Sequence, residues 1–511
     1  MRPAAPPATS SSCVCCFQKI HPPWLSCYMQ CHSTQSAMLN NTESGTVSRT
    51  YIALLGLVCL LLAVNCFFKL SAGQLQDWDE ARHGLSAYEM IQSGNFWVNT
   101  YGGAPDYWNA KPPLSFWGVV LGYFLFGANP LGLRFFSALC ACFMLFLTLV
   151  FCCKKISVRT AVFSGFVFLS LNAFFQRHHA RTADPDALFL LLSTAGLLTV
   201  LAWPKRYAAY HLASFLAGLA FLTKSFHAIP MALLLFVFFL MDFSLSRQSL
   251  KQAALCLLVA FAPVTLWALA RFQFDGILFF ERMVFYDFLN RATETIEGHR
   301  GGPFYYLEFV ALNYKFWALT VAMAGIFFAL QTSARRKASS MAAPSCADAK
   351  TIRKFVLAAT LPLLLYSLSA SKLFWYSYPA FPFISMLLGL FLDRTCTLME
   401  THNKRLAKVF LLCIFGTGLM GEAYTLKRIH RDLAKPNPVH VAMSKLGEVP
   451  ENHNAVLFLN KGDWRPSDFL AAKLYGDFQP MEGGAPAYES TKSTRKSFLL
   501  SRTEKAHNGH K

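Results

Sequence analysis

The chain has 511 residues, of which 54% are hydrophobic and only 15% charged, against about 25% charged in a soluble domain. Its formal net charge is +19, but the Lys and Arg lie mainly in short connections between long apolar blocks, a pattern that reports membrane topology and an anionic membrane surface. A single soluble core and a nucleic-acid partner are both excluded.

Residues 1–48 are rich in Pro, Ser, Thr and Cys and lack the basic-then-apolar layout of a cleavable signal peptide, so they read as a disordered cytoplasmic tail. Cys13, Cys15, Cys16, Cys27 and Cys31 fall there in a spacing that makes a poor zinc pattern. Most other cysteines lie inside apolar blocks, which suits a chain without structural disulfides. The first span, 51–70, matches the roughly 20 residues that cross a hydrocarbon core. A polar loop, 71–113, follows and ends at Lys111-Pro112-Pro113. The apolar piece 114–127 is too short to cross comfortably and reads as a juxtamembrane or re-entrant helix. Further spans are expected at 131–153, 158–176, 186–203, 208–222, 226–243, 252–271, 303–330, 354–370, 373–392 and 408–426, about eleven in a transmembrane domain over 49–426. With the N-terminus cytoplasmic and 114–127 not crossing, Lys154-Lys155, Lys205-Arg206 and Arg335-Arg336-Lys337 all fall in inside loops, as the positive-inside rule requires. The long outside loops are then 71–113 and 272–302. Residues 427–511 have a soluble composition with one strand-like run, 455–459. The fold class expected is an all-α polytopic membrane protein with juxtamembrane helices and a small C-terminal soluble α/β appendage on the outside.

This topology gathers the costly polar residues on one side: Asp77, Asp79, Glu80, Arg82 and Lys111; His178, His179, Asp184 and Asp186; Lys224 and His227; Asp287, Arg291, Glu297, His299 and Arg300; and Lys372. Carboxylates mixed with cations beside a membrane suit an anionic headgroup and a proton acceptor. Asp79 and Arg82, at i and i+3, read equally as a surface ion pair. Lys111 precedes two prolines that fix where its ammonium points, which suits a phosphate ligand, although snorkelling gives the same residue choice. In Arg181-Thr182-Ala183-Asp184-Pro185-Asp186 a carboxylate also suits the first turn of a helix. Lys224 sits between two apolar stretches with almost no loop, where a charge is costly unless it meets a phosphate or carboxylate. His178, His179 and His299 lack the His-x3-His spacing of metal sites. There is no Gly-rich phosphate loop, Gly-x-Ser-x-Gly or dinucleotide fingerprint.

Taken in order, Asp79-Glu80-Ala81-Arg82, Gly94-Asn95-Phe96-Trp97, Lys111-Pro112-Pro113, Phe126-Gly127, Arg181 to Asp186, Phe221-Leu222-Thr223-Lys224, Glu297 to Pro303 with Tyr305-Tyr306, and Ser371-Lys372-Leu373 carry a resemblance. The chain resembles the superfamily of membrane glycosyltransferases that includes the bacterial aminoarabinose lipid A transferases and the protein O-mannosyltransferases. The resemblance implies a GT-C-type fold and an inverting transfer of sugar from a polyprenyl-phosphate donor to a lipid or glycan acceptor, on the periplasmic face of a bacterial inner membrane. It implies Asp79 and Asp184 as catalytic residues and Lys111, Arg82, Lys224 and Arg300 as ligands of the donor phosphate. Glu80, Asp186, Arg291, His299, Tyr305 and Lys372 are further site candidates. Aminoarabinose transferases carry a carboxylate directly before the matching lysine and use it with a histidine to hold zinc. Here Ala110 stands in that place, so no metal is expected although His299 resembles the histidine, and no cofactor is required. A protein acceptor, or non-enzymatic transport of an anionic lipid, is the alternative; no inverted repeat or matched pair of broken helices supports transport.

Overall fold

The computed structural model describes residues 42–335, 349–434, 436–459, 462–492 and 496–500. The chain divides into two compact units, Met1–Ala53 and Leu54–Lys511. The described part of the first is the leading turns of one helix, α1 (Thr42–Phe67); the expected tail otherwise lies outside the described residues.

The second unit is helical almost throughout. After α1 come α2 (Asp79–Ser93), α3 (Leu114–Phe126), α4 (Pro130–Lys155), α5 (Val158–Leu169), α6 (Asp186–Ala202), α7 (Tyr207–Lys224), α8 (Ile229–Asp242) and α9 (Arg247–Asp275). Then follow α10 (Tyr305–Asn313), α11 (Ala318–Arg335), α12 (Ala349–Ser367), α13 (Phe381–His402) and α14 (Lys404–Leu433). The ends are specified locally. Asn129 accepts from the Leu131 and Gly132 N–H groups ahead of Pro130, and Lys154 and Lys155 occupy the last turn of α4, where the dipole favours cations. Ser246 and Ser249 form a reciprocal capping box at the start of α9.

By length and hydropathy, six helical stretches among the described residues suffice to cross a membrane, and α10 with the helix after it, bent by 64°, makes a seventh if the pair is one span, against the eleven or so expected. One of the six, Tyr207–Asp242, folds back on itself. The Tyr207 ring stacks on Phe243 at 4.2 Å, and Tyr210 Oη donates to Asp242 Oδ2 at 2.8 Å, so α7 and α8 are antiparallel arms reversing at Ser225, whose φ is 46°. The expected spans 208–222 and 226–243 are these two arms. The expected span 158–176 is interrupted after Leu169 and resumes as a short turn, Asn172–Gln176. The piece 114–127 is α3, 13 residues long. It lies against α4 so closely that a Cβ on Gly122 would come within 2.1 Å of the Gly132 carbonyl oxygen.

The polar loop between α1 and α3 holds α2 and a small antiparallel pair, β1 (Thr100–Tyr101) and β2 (Ala104–Pro105). α2 ends at Gly94, whose φ of 69° is a left-handed cap that suits glycine. After α14 the chain forms α15 (Pro438–Gly447), β3 (Val456–Leu459), α16 (Pro466–Gly476), β4 (Gln479–Glu482) and β5 (Ser497–Leu499). The strands make a parallel sheet in the order β4-β3-β5, and every residue of β3 is buried, so the expected α/β appendage is present with its strand where the sequence placed it. It does not stand apart: Leu457, Leu470 and Phe478 share one apolar cluster with Leu85 and Met90 of α2 and Phe116 and Tyr123 of α3.

Candidate active site

Four segments meet around Asp79. The first is the loop before α3. Asp106 Oδ1 accepts from the backbone N–H groups of Trp108 and Asn109, turning the chain so that Lys111 Nζ reaches Asn109 Oδ1 at 2.8 Å and lies 3.7 Å from Asp79 Oδ1. The i, i+3 pairing of Asp79 with Arg82 does not form. Arg82 instead pairs with Asp106 at 2.8 Å, its guanidinium lying between the rings of Tyr101 and Trp108, because β1 and β2 bring that carboxylate and both rings over its side of α2. Glu80 points the other way, into the protein. Its carboxylate takes both Arg134 Nε and Nη2, and accepts from the backbone N–H groups of Gln76 and Ala183. Glu80 is thus the knot that ties the first two loops together.

The second segment precedes α6. His178, at φ 51°, stacks on Trp375 at 3.6 Å, with Nδ1 3.3 Å from Asp184 Oδ1 and 3.8 Å from Asp79 Oδ2. His179 packs on Phe174 at 3.9 Å, and burial pushes its imidazole down to about 3, which keeps it neutral. Asp186, in the first turn of α6, holds Lys224 at 2.5 Å. The paired reading of Lys224 is therefore realised; no carboxylate caps α6, whose N-cap is Pro185, and Asp186 stands in its first turn, where the helix dipole favours a negative charge.

The third and fourth segments are laced to each other. A π-helical stretch, Arg282–Asn290, presents Tyr286 and Asp287; Asp287 pairs with Arg291 at 3.3 Å. Glu297 lies 3.7 Å from both Arg291 and His299 and accepts from the Trp108 indole at 3.1 Å. Backbone bonds from Ser371 and Lys372 to Arg291 and His299 fix this loop against residues 369–372. Lys372 spends its ammonium on the carbonyls of Ser367 and Ser369, capping the C-terminus of α12.

Together they enclose a cavity of about 640 Å³, onto which Asp79, Lys111, His178, Lys224, Arg291 and His299 open, with Trp108, Trp375 and Tyr376 as walls. An apolar groove of about 260 Å³, lined by Phe226, Ile229, Phe288, Leu365 and Leu368, shares Arg291 and Tyr376 with it. A second, polar cavity of about 270 Å³ lies beyond His178, between Gln76, Gln176, Thr182 and Asp184. Of the residues expected at the site, Glu80 and Arg82 stand behind Asp79, Asp184 and Asp186 hold the cations that face it, and Arg300, Tyr305 and Lys372 lie outside the main cavity's lining, Arg300 exposed.

The charges act on one another. Burial would raise the Asp79 carboxyl, but Lys111, His178 and His83 together hold it well below the usual carboxylate range. Asp184 is likewise lowered against burial, chiefly by His178, and His178 is raised against burial by Asp184. His83, beneath Asp79, is pushed down to about 4 by burial and Lys111. The site therefore presents an ionised Asp79 between the Lys111 ammonium and the His178 ring. Asp79, His178 and Asp184 offer ligand atoms within 4.8 Å of one another, a donor set that can take a divalent cation, with Lys111 competing for the same carboxylate. Ala110, directly before Lys111, adds no donor to that set.

The aromatic walls, Arg134 and Asp106 were not singled out from the sequence. Arg134 had a signal, being a lone charge inside the apolar block 131–153, where a charge demands a partner; the rings had none, since aromatics abound throughout.

The profile of the family described as dolichyl-phosphate-mannose-protein mannosyltransferase matches residues 110–267. An uncharacterized protein of Aquifex aeolicus is 26% identical over 71% of this chain and 68% of its own length. The undecaprenyl phosphate-alpha-4-amino-4-deoxy-L-arabinose arabinosyl transferase 1 of Sodalis glossinidius is 24% identical over 72% of this chain, and the match spans 65% of that relative. The crystal structure of ArnT from Cupriavidus metallidurans bound to undecaprenyl phosphate shares the fold at TM-score 0.62 and 19% identity, over 86% of each chain. The resemblance to the superfamily of aminoarabinose transferases and protein O-mannosyltransferases is thus upheld, and the fold is the GT-C type on a multi-pass membrane protein.

Proposed function

We propose that this GT-C-fold protein is a glycosyltransferase that moves a sugar from a polyprenyl-phosphate donor to a hydroxyl-bearing lipid or glycan. The observation that carries the reading is the placement of Asp79 and Lys111, 3.7 Å apart, on a cavity that shares Arg291 and Tyr376 with an apolar groove. A proton acceptor, anion-binding cations and a berth for an apolar tail meet at one point. In the reaction the acceptor oxygen bonds to the anomeric carbon while the bond from that carbon to the phosphate oxygen breaks, inverting the centre. The acceptor's proton passes to Asp79. Polyprenyl phosphate departs with its charge held by Lys111, Arg291 and Lys224, so no separate general acid is needed. Arg291 and Lys224 are paired with Asp287 and Asp186 in the free protein, and the donor phosphate competes for them.

The cell-surface side of a bacterial inner membrane, with the N-terminus cytoplasmic, is the location this reading requires. A protein acceptor is the second reading, favoured by the match to the protein mannosyltransferase profile over 110–267. The test is transfer by purified protein from radiolabelled polyprenyl-phosphate sugars to a total membrane extract, with lipid, glycan and protein fractions counted separately. Label in the lipid or glycan fraction, lost in Asp79→Asn and Lys111→Ala, is the expected outcome. Label in protein alone selects the second reading; no release of polyprenyl phosphate by the wild type sinks both.

A further inference from the structure

Asp79 follows a strained residue. Trp78 has φ 66° and ψ −106°, a conformation that a bulky L-residue keeps only when its surroundings over-determine it. On the far side the anchor is Glu80, tied to Arg134, Gln76 and Ala183. On the near side the anchor is Asp77, and its partner comes from the C-terminal appendage, 390 residues along the chain. Asp77 Oδ1 accepts from Ser467 Oγ at 2.5 Å and from the Ser467 backbone N–H at 3.2 Å, with Arg465 Nη1 at 3.9 Å from Oδ2. Ser467 is the second residue of α16, and Pro466 before it has no N–H to give. The Asp77 carboxylate therefore caps the end of a helix to which it does not belong, where the helix dipole favours a negative charge.

That helix is itself held fast. Asp468 takes His440 at 3.0 Å and the Arg465 N–H at 2.9 Å. Leu470 sits on Gly84 of α2 so tightly that a Cβ there would come within 2.8 Å of it, and Phe469 packs edge-on to Tyr101 at 5.8 Å. Asp77 also lines the main cavity.

We propose that Ser467 is a positioning residue for Asp79: by holding Asp77 it fixes the strained Trp78 turn and sets the aim of the Asp79 carboxylate, which gives the C-terminal appendage a part in the transfer. This rests on the function proposed above. The test uses the full chain in detergent, comparing wild type, Ser467→Ala and Ser467→Thr for steady-state transfer and for tryptophan emission, the latter repeated in a Trp78→Phe background. Ser467→Ala is expected to lower kcat about 10-fold, the scale of a small misplacement of a reacting group, with KM for the donor unchanged, and Ser467→Thr to restore it. The emission change on Ser467→Ala is expected to vanish in Trp78→Phe. If Ser467→Ala does not fold, Asp77→Asn, which keeps Oδ1 as an acceptor, set against Asp77→Ala makes the same comparison. Unchanged kcat per folded molecule, or a fall matched by Ser467→Thr, overturns the proposal. Because emission reads the turn without catalysis, an inactive wild type would refute the proposed function, while an unshifted emission would refute this one.

Discussion

Two clusters of buried charge sit at opposite ends of the α7–α8 hairpin, roughly 20 Å apart for arms of this length. At one end Asp242 is enclosed by Lys354 at 2.6 Å, Lys350 at 3.2 Å and the Tyr210 hydroxyl at 2.8 Å. At the other, Lys224, held by Asp186 at 2.5 Å, opens onto the cavity beside Asp79, whose own ion-pair partners stand at 3.7 and 3.8 Å. Both clusters bury charge in a membrane protein, so burial does not distinguish them. The difference is closure. Asp242 is closely paired on every side, whereas Asp79 itself is held only at 3.7 and 3.8 Å by partners it shares, on a cavity where an anionic group can take over the cations. Buried charge marks function where its pairing is left incomplete.

That contrast can be broken by substitution. Asp79→Asn is expected to cut transfer by about 10²–10⁴-fold, the usual worth of a positioned base, with insertion unchanged and melting lowered by the lost pairing with Lys111 and His178; retained activity in folded protein would end the assignment. Asp242→Asn is expected to do the reverse. Stability should fall by about 3–5 kcal/mol as the buried Lys354 loses its counter-charge, with activity per folded molecule intact. Glu80→Gln belongs with Asp242 in size, since it strands Arg134, but thermal unfolding and transfer should fall together because Glu80 also holds the loops around Asp79.

A pH titration sharpens the comparison next. The His178 value is raised and those of Asp184 and Asp79 are lowered. Their mutual stabilisation is therefore fully present between the ordinary carboxylate value, about 4, and the ordinary imidazole value, about 6.5. It is lost as pH rises through the folded His178 value, and again as pH falls through the folded carboxylate values. Melting in detergent should hold a plateau across that window and decline above it, and His178→Gln should flatten the alkaline side and shrink the acid-side loss, because His178 is the chief cause that lowers Asp184. The smallest effect expected is from Lys372→Met. Losing the cap on α12 should cost about 1 kcal/mol, with kcat unaltered; a large fall in kcat would return Lys372 to the chemistry.

Much of this was written in local pattern. Apolar length announces most of the long helices, and the run from Asp79 to Lys372 names the segments that meet at the cavity. These signals survive in a single sequence because each depends on residues a few positions apart: a helix needs only its own length and caps, and a costly charge is visible wherever it stands in an apolar block. The tertiary structure decided the partners. Arg82 turned to Asp106, Glu80 to Arg134, and Asp77 to Ser467, across 24, 54 and 390 residues of chain. No periodicity carries such choices. They follow from which faces pack together, and packing is settled by the sum of many weak contacts across the fold, so that the same Asp or Arg becomes a ligand, a strut or a cap according to what folding places opposite it.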